Sequence, residues 1–304
     1  MKPLVTILPS HKIDTIKWDN CVAKNKEGLV YATTNYLNFM ADNWSGLVVD
    51  DYAAIMPLPW KRKLGIRYLY TPPFAQQLGF IGTTHIDAAQ LQHALQGFVK
   101  YGDYLFNYKN TNFGETYNFS HRSNYIINLN QIYATIKSGY SKKNLYDLGK
   151  AFGNNLIYEA TNNFEEAIAL YQQHNNQNLK HINSTAYSDF VSLCKHFLKE
   201  NKLLVRQVIS SQKAVLSIVV LISDGKRFYN IINHTSAEGR KLKANFFLYD
   251  NLFREFADSP MLFDFEGSDL PGVKHFYKSF GAFNQPYYQW HFNLLPWPLS
   301  WLKR

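Results

Sequence analysis

Two acidic residues in the second half of the chain, Asp264 and Glu266, have the residue type and spacing of a proton-transfer site. They belong to the segment MLFDFEG at 261–267, where apolar and acidic residues alternate as in a strand. Alternate side chains of a strand share a face, so both carboxylates are expected on one side, about 7 Å apart after two rises of ~3.3 Å. A carboxylate in a partly desolvated cleft can accept a proton from a nucleophile. A solvated carboxylate pair at a sheet edge is the alternative interpretation.

A short basic helix is predicted to follow this strand. The chain turns at Gly267, carries cap and first-turn residues over 268–271, and has a left-handed helix terminator in Gly281. Apolar residues at helical spacing leave Lys274 and Lys278 one turn apart on another face. Acidic residues at a strand end beside paired cations indicate a functional site. The alternative interpretation is that this segment is an ordinary amphipathic helix with a solvated polar face.

The composition restricts the partners. The 304 residues are enough for two domains, and the net charge of +9 favours an anionic partner such as a nucleotide-bearing cofactor, a nucleic acid or an acidic membrane. No run of five basic residues occurs, so DNA is not a predicted partner. Cys21 and Cys194 lack neighbours at metal-ligand spacing, so no metal site is predicted. No apolar segment is long enough to span a bilayer and no secretory signal is recognised, so we expect a cytoplasmic protein.

The order of predicted elements indicates a mixed α/β (α+β) fold. The second half reads as a strand, two helices, three antiparallel strands, a long helix, the acidic strand, the basic helix and a last aromatic strand. The first half repeats this order loosely. We therefore predict two lobes, residues 1–140 and 141–304, each with a mostly antiparallel central sheet flanked by helices, facing each other across a cleft. The join is placed within 131–151, where a basic segment interrupts the periodic pattern.

Four segments carry a family resemblance. The stretch DFEGSDLPGVKHFYKSFGA at 264–282 resembles a signature of the FemAB-like proteins, which contain two GNAT-type lobes in one chain. The segments DYAAIMPLPWKRK at 51–63, TPPFAQQLGFIG at 71–82 and YSKKNLYDLGKA at 140–151 are similar to stretches in bacterial members of that group. The resemblance touches both halves and implies tandem GNAT-like lobes.

This resemblance implies an N-acyltransferase. An acyl or aminoacyl group would pass from a thioester or a tRNA ester to an amine bound between the lobes, with no metal, no covalently bound cofactor and no covalent enzyme intermediate. Asp264 is the first candidate for the general base and Glu266 the second. Backbone amides of 229–233 would stabilise the oxyanion, and the phenol of Tyr277 or Tyr287 would assist the leaving group.

The resemblance also implies where the donor binds. Its phosphates would lie at the start of the long helix, near Ser236, Gly239, Arg240 and Lys241, with Lys278 as a further cation. The pattern that GNAT enzymes show for coenzyme A is not matched, because Ser236 occupies its first position and Lys241 its last. Acyl-CoA, an acyl carrier and aminoacyl-tRNA therefore all stay open as donors.

Three residues of the first lobe are candidates for binding a small-molecule or peptide amine. Arg62 lies at a strand end, and Gln76 and Gln77 follow a proline pair between aromatic residues. For Arg62 a solvated hairpin tip is the favoured interpretation, and for the glutamine pair the two interpretations weigh evenly. Among the histidines only His234, just before the helix-opening loop, has a suggestive place, although a structural loop residue is favoured.

Two other functions remain. A two-lobe protein of this kind can be a catalytically silent binding protein for an anionic ligand. The segment YYQWHFNLLPWPLSWLKR at 287–304, with Trp290, Trp297 and Trp301, is also compatible with a peripheral membrane protein. For that segment a strand and cap packed on the core is the preferred interpretation.

Overall fold

The structure is a computed structural model that describes residues 3–84, 86–113, 117, 119–175, 182–267 and 269–303. The chain divides into two compact units, one formed by Met1–Arg122 with Pro286–Arg304 and the other by Ser123–Gln285. Each unit contains one of the two sheets. No helix in the part of the chain that is described has the length and apolar character needed to cross a bilayer.

The first unit is built on an eight-stranded sheet in the order β1-β2-β3-β4-β6-β15-β7, with β5 paired to β3. Its elements before the second unit are β1 (Val5–Pro9), α1 (Thr15–Lys24), α2 (Thr34–Met40), β2 (Trp44–Val49), β3 (Ala54–Lys63), β4 (Ile66–Leu69), β5 (Ile81–Gly82), α3 (Ala88–Gln96), β6 (Tyr101–Phe106) and β7 (Ser120–Arg122). Strand β15 (Tyr287–Asn293) and a 3-10 helix, Leu299–Lys303, return to this unit after the second one.

The second unit is built on a seven-stranded sheet in the order β14-β8-β13-β12-β11-β10-β9. Its elements are β8 (Tyr125–Asn128), α4 (Tyr133–Ser138), α5 (Lys142–Phe152), β9 (Ile157–Thr161), α6 (Phe164–Asn175), α7 (Ser184–Lys199), β10 (Leu203–Ile209), β11 (Val215–Ser223), β12 (Arg227–Thr235), α8 (Ala237–Lys241), α9 (Ala244–Phe256), β13 (Leu262–Asp264), α10 (Pro271–Ser279) and β14 (Phe283–Asn284).

The bounds of the compact units differ from the predicted lobes because two strands pair across the expected join. Strand β8 lies before residue 140 but pairs with β13 and β14 of the second sheet. Strand β15 lies near the other end of the chain but pairs with β6 and β7 of the first sheet. The segment 131–151, within which the join was expected, forms α4 and most of α5, and buried Ile136 and Leu148 belong to the core of the second unit.

An aromatic cluster fixes the elements around the acidic strand. Phe263 and Phe265 are buried beside Phe253 and Tyr249 of α9, with ring centroids 5.1 Å apart for Phe253 and Phe263 and 5.3 Å apart for Tyr249 and Phe265. Phe280, just after α10, closes the cluster at 5.7 Å from the Phe253 ring. These contacts hold α9, β13 and α10 together, since aromatic side chains bury large apolar areas and pair in tilted geometries.

Candidate functional site

In the seven-stranded sheet, the two neighbouring parallel strands β12 and β13 are paired only over part of their length. Strand β12 pairs with β13 only over Arg227–Tyr229, opposite Leu262–Asp264, and then continues to Thr235. The edge of β12 beyond Tyr229 therefore has no strand beside it on that side in the described part of the sheet. A cavity of about 530 Å³ occupies this opening, and its walls come from β12, α6, α9, α10 and the turn after β13.

A bulge interrupts β12 inside this cavity. Val220 of β11 pairs with Ile232, whereas the next residue, Leu221, pairs with Asn230, so Ile231 is an extra residue in β12. A bulged residue leaves the regular hydrogen-bond ladder and changes the direction of neighbouring backbone groups. Ile231 lines the cavity together with Asn230 and Asn233. The bulge and the residues on both sides of it therefore form one wall of the cavity.

Glu266 lies at the cavity, but not as part of the strand. Strand β13 ends at Asp264, and Glu266 and Gly267 have φ angles of 66° and 65°, in the left-handed region. Both line the cavity. The expected pair of carboxylates side by side on one strand face is therefore wrong, because the backbone turns before the alternation reaches Glu266.

Asp264 has a different environment. Its side chain is 1% exposed and accepts hydrogen bonds from the Arg227 guanidinium, from Asn124 Nδ2 at 3.0 Å and from the backbone N–H of Glu266 at 2.9 Å. Its strand, β13, lies inside the sheet between β8 and β12. Asp264 does not line the cavity. Its geometry is that of a carboxylate that neutralises a buried arginine and orients the Glu266 turn.

Tyr277 of α10 lines the same cavity as Glu266. Its ring stacks on Phe265 with centroids 4.3 Å apart. Burial raises the pKa of the Tyr277 phenol, and a hydrogen bond with the Asn233 side chain opposes part of that rise. The phenol therefore stays protonated near neutral pH and can donate a hydrogen bond into the cavity. Tyr287, the other phenol considered, belongs to the first sheet, where it pairs with Arg122.

A histidine pair forms another part of the cavity wall. The rings of His234 and His174 lie 5.6 Å apart, edge to face. Burial lowers the pKa of His234, and the nearby His174 and Arg240 lower it further. Both effects disfavour the charged imidazolium, so His234 is a neutral polar group of the cavity at neutral pH.

The four residues expected to bind donor phosphates do not lie at the start of the long helix. They belong to α8 and its cap, which Leu242 and Lys243 separate from α9. Arg240 lines the cavity and donates to the Thr235 carbonyl at 2.6 Å. The Ser236 hydroxyl instead caps α8 by accepting from the Gly239 N–H at 3.0 Å. Of the four residues, only Arg240 is thus placed against the cavity.

Besides Ser236, three further cofactor-binding candidates lie outside the cavity wall. The Lys241 side chain is 76% exposed and lies 3.6 Å from Glu238. Lys278 is exposed above the ring of Tyr125, with 5.8 Å between its Nζ and the ring centroid. Gly239 is buried against β11.

Substitution of Gly239 by alanine is expected to destabilise the second unit. A Cβ at Gly239 would lie 2.1 Å from the carbonyl oxygen of Leu216, so strand and helix would have to separate, at a cost of about 1–3 kcal/mol. Gly149→Ala is the matched control, because a Cβ there meets nothing within 4 Å and alanine favours a helix interior. Urea denaturation followed by circular dichroism should show opposite shifts of the midpoint for the two variants. Equal midpoints would contradict the packing role of Gly239.

The chain was compared with known proteins by sequence and by structure. No protein-family model and no curated protein matches it by sequence. Among solved structures, FemX matches with a TM-score of 0.68 at 12% identity, over 99% of both chains. L-PGS from Bacillus licheniformis matches with a TM-score of 0.57 at 9% identity over 95% of both chains. A tandem GNAT protein from the clavulanic acid biosynthesis pathway matches with a TM-score of 0.53 at 10% identity, over 96% of this chain and 99% of the other.

The chain has a tandem GNAT fold. The predicted fold class is thereby confirmed, as is the resemblance to FemAB-like proteins at the level of the fold. At these identities the likeness concerns architecture, and the assignment of residues depends on the geometry of the cavity.

The acceptor candidates of this tandem GNAT chain lie in its first unit. Arg62 is exposed at the end of β3, opposite Arg67 in the β3–β4 hairpin. Gln76 and Gln77 are buried, and Gln77 Nε2 donates to Gln76 Oε1 at 2.5 Å while Gln77 Oε1 accepts from the Tyr108 N–H at 3.1 Å. This set of bonds gives Gln77 an internal structural role.

Several cavity residues of the GNAT fold were not selected from the sequence. Asn230 is 1% exposed, and its Nδ2 donates to the Tyr249 hydroxyl at 2.8 Å. Its Oδ1 is a buried atom with no hydrogen-bond partner among the residues that the structure describes. Asn230 interrupts the apolar run Phe228–Ile232 of β12, and this is a signal that the sequence contains, because a buried amide needs partners.

Proposed function

We propose that this chain transfers an acyl or aminoacyl group to an amine, with the reacting centre in the cavity between β12 and β13. The observation that carries the proposal is the placement of a carboxylate, a protonated phenol and a bulged strand edge around one cavity of about 530 Å³. That volume lies within the range of about 300–1,000 Å³ typical of small-molecule sites.

Each group has a step in the reaction. Glu266 accepts a proton from the amine, directly or through a water, so that the nitrogen lone pair can attack the donor carbonyl. Backbone N–H groups at the Ile231 bulge stabilise the negative charge that develops on the carbonyl oxygen. The tetrahedral intermediate then collapses by breaking the bond to the leaving sulfur or oxygen, which takes a proton from Tyr277. Tyr277 regains a proton from water and Glu266 releases its proton to water, so both groups return to their starting states.

The open edge of β12 supports a donor with an extended amide-containing arm. A strand edge without a partner offers alternating N–H and C=O groups, which an extended ligand can pair with as an added strand would. The arm of coenzyme A contains amides of this kind, and an acyl carrier presents the same arm. Arg240 at the cavity supplies a cation for the anionic part of the donor. Acyl-CoA is therefore the first donor to test, and aminoacyl-tRNA is the second.

The acceptor is proposed to be a small-molecule or peptide amine, with Arg62, Gln76 and Gln77 as candidates for binding it. The charge of Arg62 suits an acidic group on that amine. Since the Gln77 amide is already bonded to Gln76 and Tyr108, Arg62 is the more available of these groups.

The test combines binding and turnover. The purified chain is titrated with coenzyme A, and product formation from acetyl-CoA or a mixed aminoacyl-tRNA pool with a panel of primary amines is followed by mass spectrometry. New amide products, together with release of free thiol or free tRNA, would support the proposal. Coenzyme A binding without any amide product would favour the silent binding protein. Absence of both binding and product would overturn the proposed site.

Tyr277→Phe is expected to slow turnover in a way that depends on the donor. Loss of a positioned general acid costs roughly 10²–10⁴ in rate when the leaving group needs a proton. A thiolate leaves far more readily than an alkoxide, so the loss should be small with acetyl-CoA and large with an aminoacyl ester. Tyr171→Phe, at the same cavity, is the control and should keep the wild-type rate with both donors. Equal effects of the two variants would remove the proton-donor role.

A further inference from the structure

One end of the first sheet brings together three separate parts of the chain. The backbone N–H of Lys100 donates to the Arg67 carbonyl at 3.1 Å, and the N–H of Leu294 donates to the Lys100 carbonyl at 2.7 Å. Lys63 pairs with Ile66 across the turn of the β3–β4 hairpin. The hairpin tip, the start of β6 and the segment after β15 therefore share this end, which we call the basic-aromatic end, defined by residues 62–67, 100 and 294–301.

Large apolar side chains are exposed at the basic-aromatic end. The exposed fractions are 94% for Leu64, 86% for Trp297 and 68% for Trp301. The backbone that carries the two tryptophans is held in place, since Asn293 Nδ2 donates to the Ser300 carbonyl at 2.8 Å. The segment 287–304 was predicted to pack on the core. Trp290, in its first part, is buried, whereas Trp297 and Trp301 are exposed.

Cations lie at the same end of the sheet as these apolar groups. Lys63 and Lys100 are exposed, as is Arg62. Arg67 lies over the ring of Trp60, with 5.0 Å between its guanidinium carbon and the ring centroid. Two acids of this unit have basic partners: Asp42, just before β2, lies 3.1 Å from Lys61, and Asp103 of β6 lies 3.1 Å from His291. The basic-aromatic end therefore presents net positive charge next to exposed tryptophan and leucine.

We propose that the basic-aromatic end docks on the surface of a lipid bilayer that contains anionic lipids. Tryptophan prefers the headgroup level of a bilayer, and an apolar side chain next to cations is the composition of interfacial anchors. A nucleic acid would account for the cations but would leave Leu64 and the aliphatic part of the patch in water. This inference does not depend on the proposed transfer reaction.

The experiment is vesicle flotation with the full chain. Wild-type protein is expected to float with vesicles of equal parts phosphatidylcholine and phosphatidylglycerol, and not with phosphatidylcholine alone. Lys63→Ser with Lys100→Ser should lower the partition coefficient roughly 30-fold, because each cation near an anionic surface contributes about 1 kcal/mol. Trp297→Ser with Trp301→Ser should lower it at least about tenfold, since interfacial binding scales with buried apolar area.

Matched controls use exposed residues of the same unit outside the patch. Lys24→Ser with Lys26→Ser removes the same charge, and Ile16→Ser removes a side chain that is 74% exposed. Both should float like the wild type. The proposal is overturned if wild-type protein does not float with anionic vesicles, or if the patch variants float as well as the controls. Binding to bulk tRNA that depends on Lys63 and Lys100 but not on the tryptophans would overturn it in favour of a nucleic-acid surface.

Discussion

Replacing Asp264 with asparagine is expected to destabilise the second unit by about 3–5 kcal/mol, because it leaves a buried guanidinium without its counter-charge. The Arg227 side chain is 3% exposed and the Asp264 side chain 1% exposed. An asparagine keeps the shape and offers one carbonyl oxygen, but it cannot neutralise the charge. Hydrogen exchange of peptides that cover β12 and β13 should report the loss directly, as faster exchange of amides that are protected in the wild type.

A double-mutant cycle separates the ion pair from the effect of either side chain alone. Arg227→Met and Asp264→Leu should each be strongly destabilising, whereas the double variant should lose much less than their sum, because no charge remains unpaired. Asp51→Asn is the control: Asp51 pairs with Lys17 at the surface, and its side chain is 77% exposed. Its loss should leave stability nearly unchanged. Wild-type exchange rates in Asp264→Asn would contradict the structural role and return Asp264 to the list of candidate bases.

The elements around the site could be predicted because their patterns are local. The long apolar strand β11, the hairpin that joins it to β12 and the amphipathic α10 all follow from spacing within a few residues. The left-handed φ of 80° at Gly281, just after α10, agrees with the predicted helix terminator. These signals do not need knowledge of which strands are neighbours.

The burial of Asp264 could not be predicted, because it depends on distant residues. Asp264 pairs with Ile126 on one side and with Tyr229 on the other, and Asn124 supplies a hydrogen bond from 140 positions earlier. Alternation along a single strand gives no information about whether both faces are covered. The turn at Glu266 was equally hidden, since a glutamate with positive φ is uncommon.

The pairing of β15 with the first sheet was hidden for a similar reason. The order of elements along the chain predicted a strand at its place, but strand order within a sheet is set by contacts remote in sequence. A more local hydrogen bond follows β15, from Asn293 Nδ2 to the Ser300 carbonyl. It keeps the segment with Trp297 and Trp301 at the end of the sheet, where a compositional argument had favoured packing on the core.

Replacing Glu266 with glutamine is expected to abolish most of the transfer activity while leaving the fold intact. A general base contributes roughly 10²–10⁴ in rate, and an amide of nearly the same shape cannot accept the proton. Glu266 is partly exposed at the cavity, in a turn whose backbone N–H is already held by Asp264. The variant should therefore bind coenzyme A as the wild type does and show unchanged hydrogen exchange in β12 and β13.

Glu238→Gln is the matched control for this variant, because Glu238 is an exposed carboxylate of the same unit and lies outside the cavity. It should keep full turnover. A second readout distinguishes a lost base from a displaced turn: in Glu266→Ala, added formate should restore part of the rate if the missing function is proton acceptance. Turnover of Glu266→Gln at the wild-type rate would exclude Glu266 as the base. We expect Asp264→Asn to lose activity in proportion to its unfolded fraction, and Glu266→Gln to be folded but inactive. Together these two results would assign stability to Asp264 and proton acceptance to Glu266.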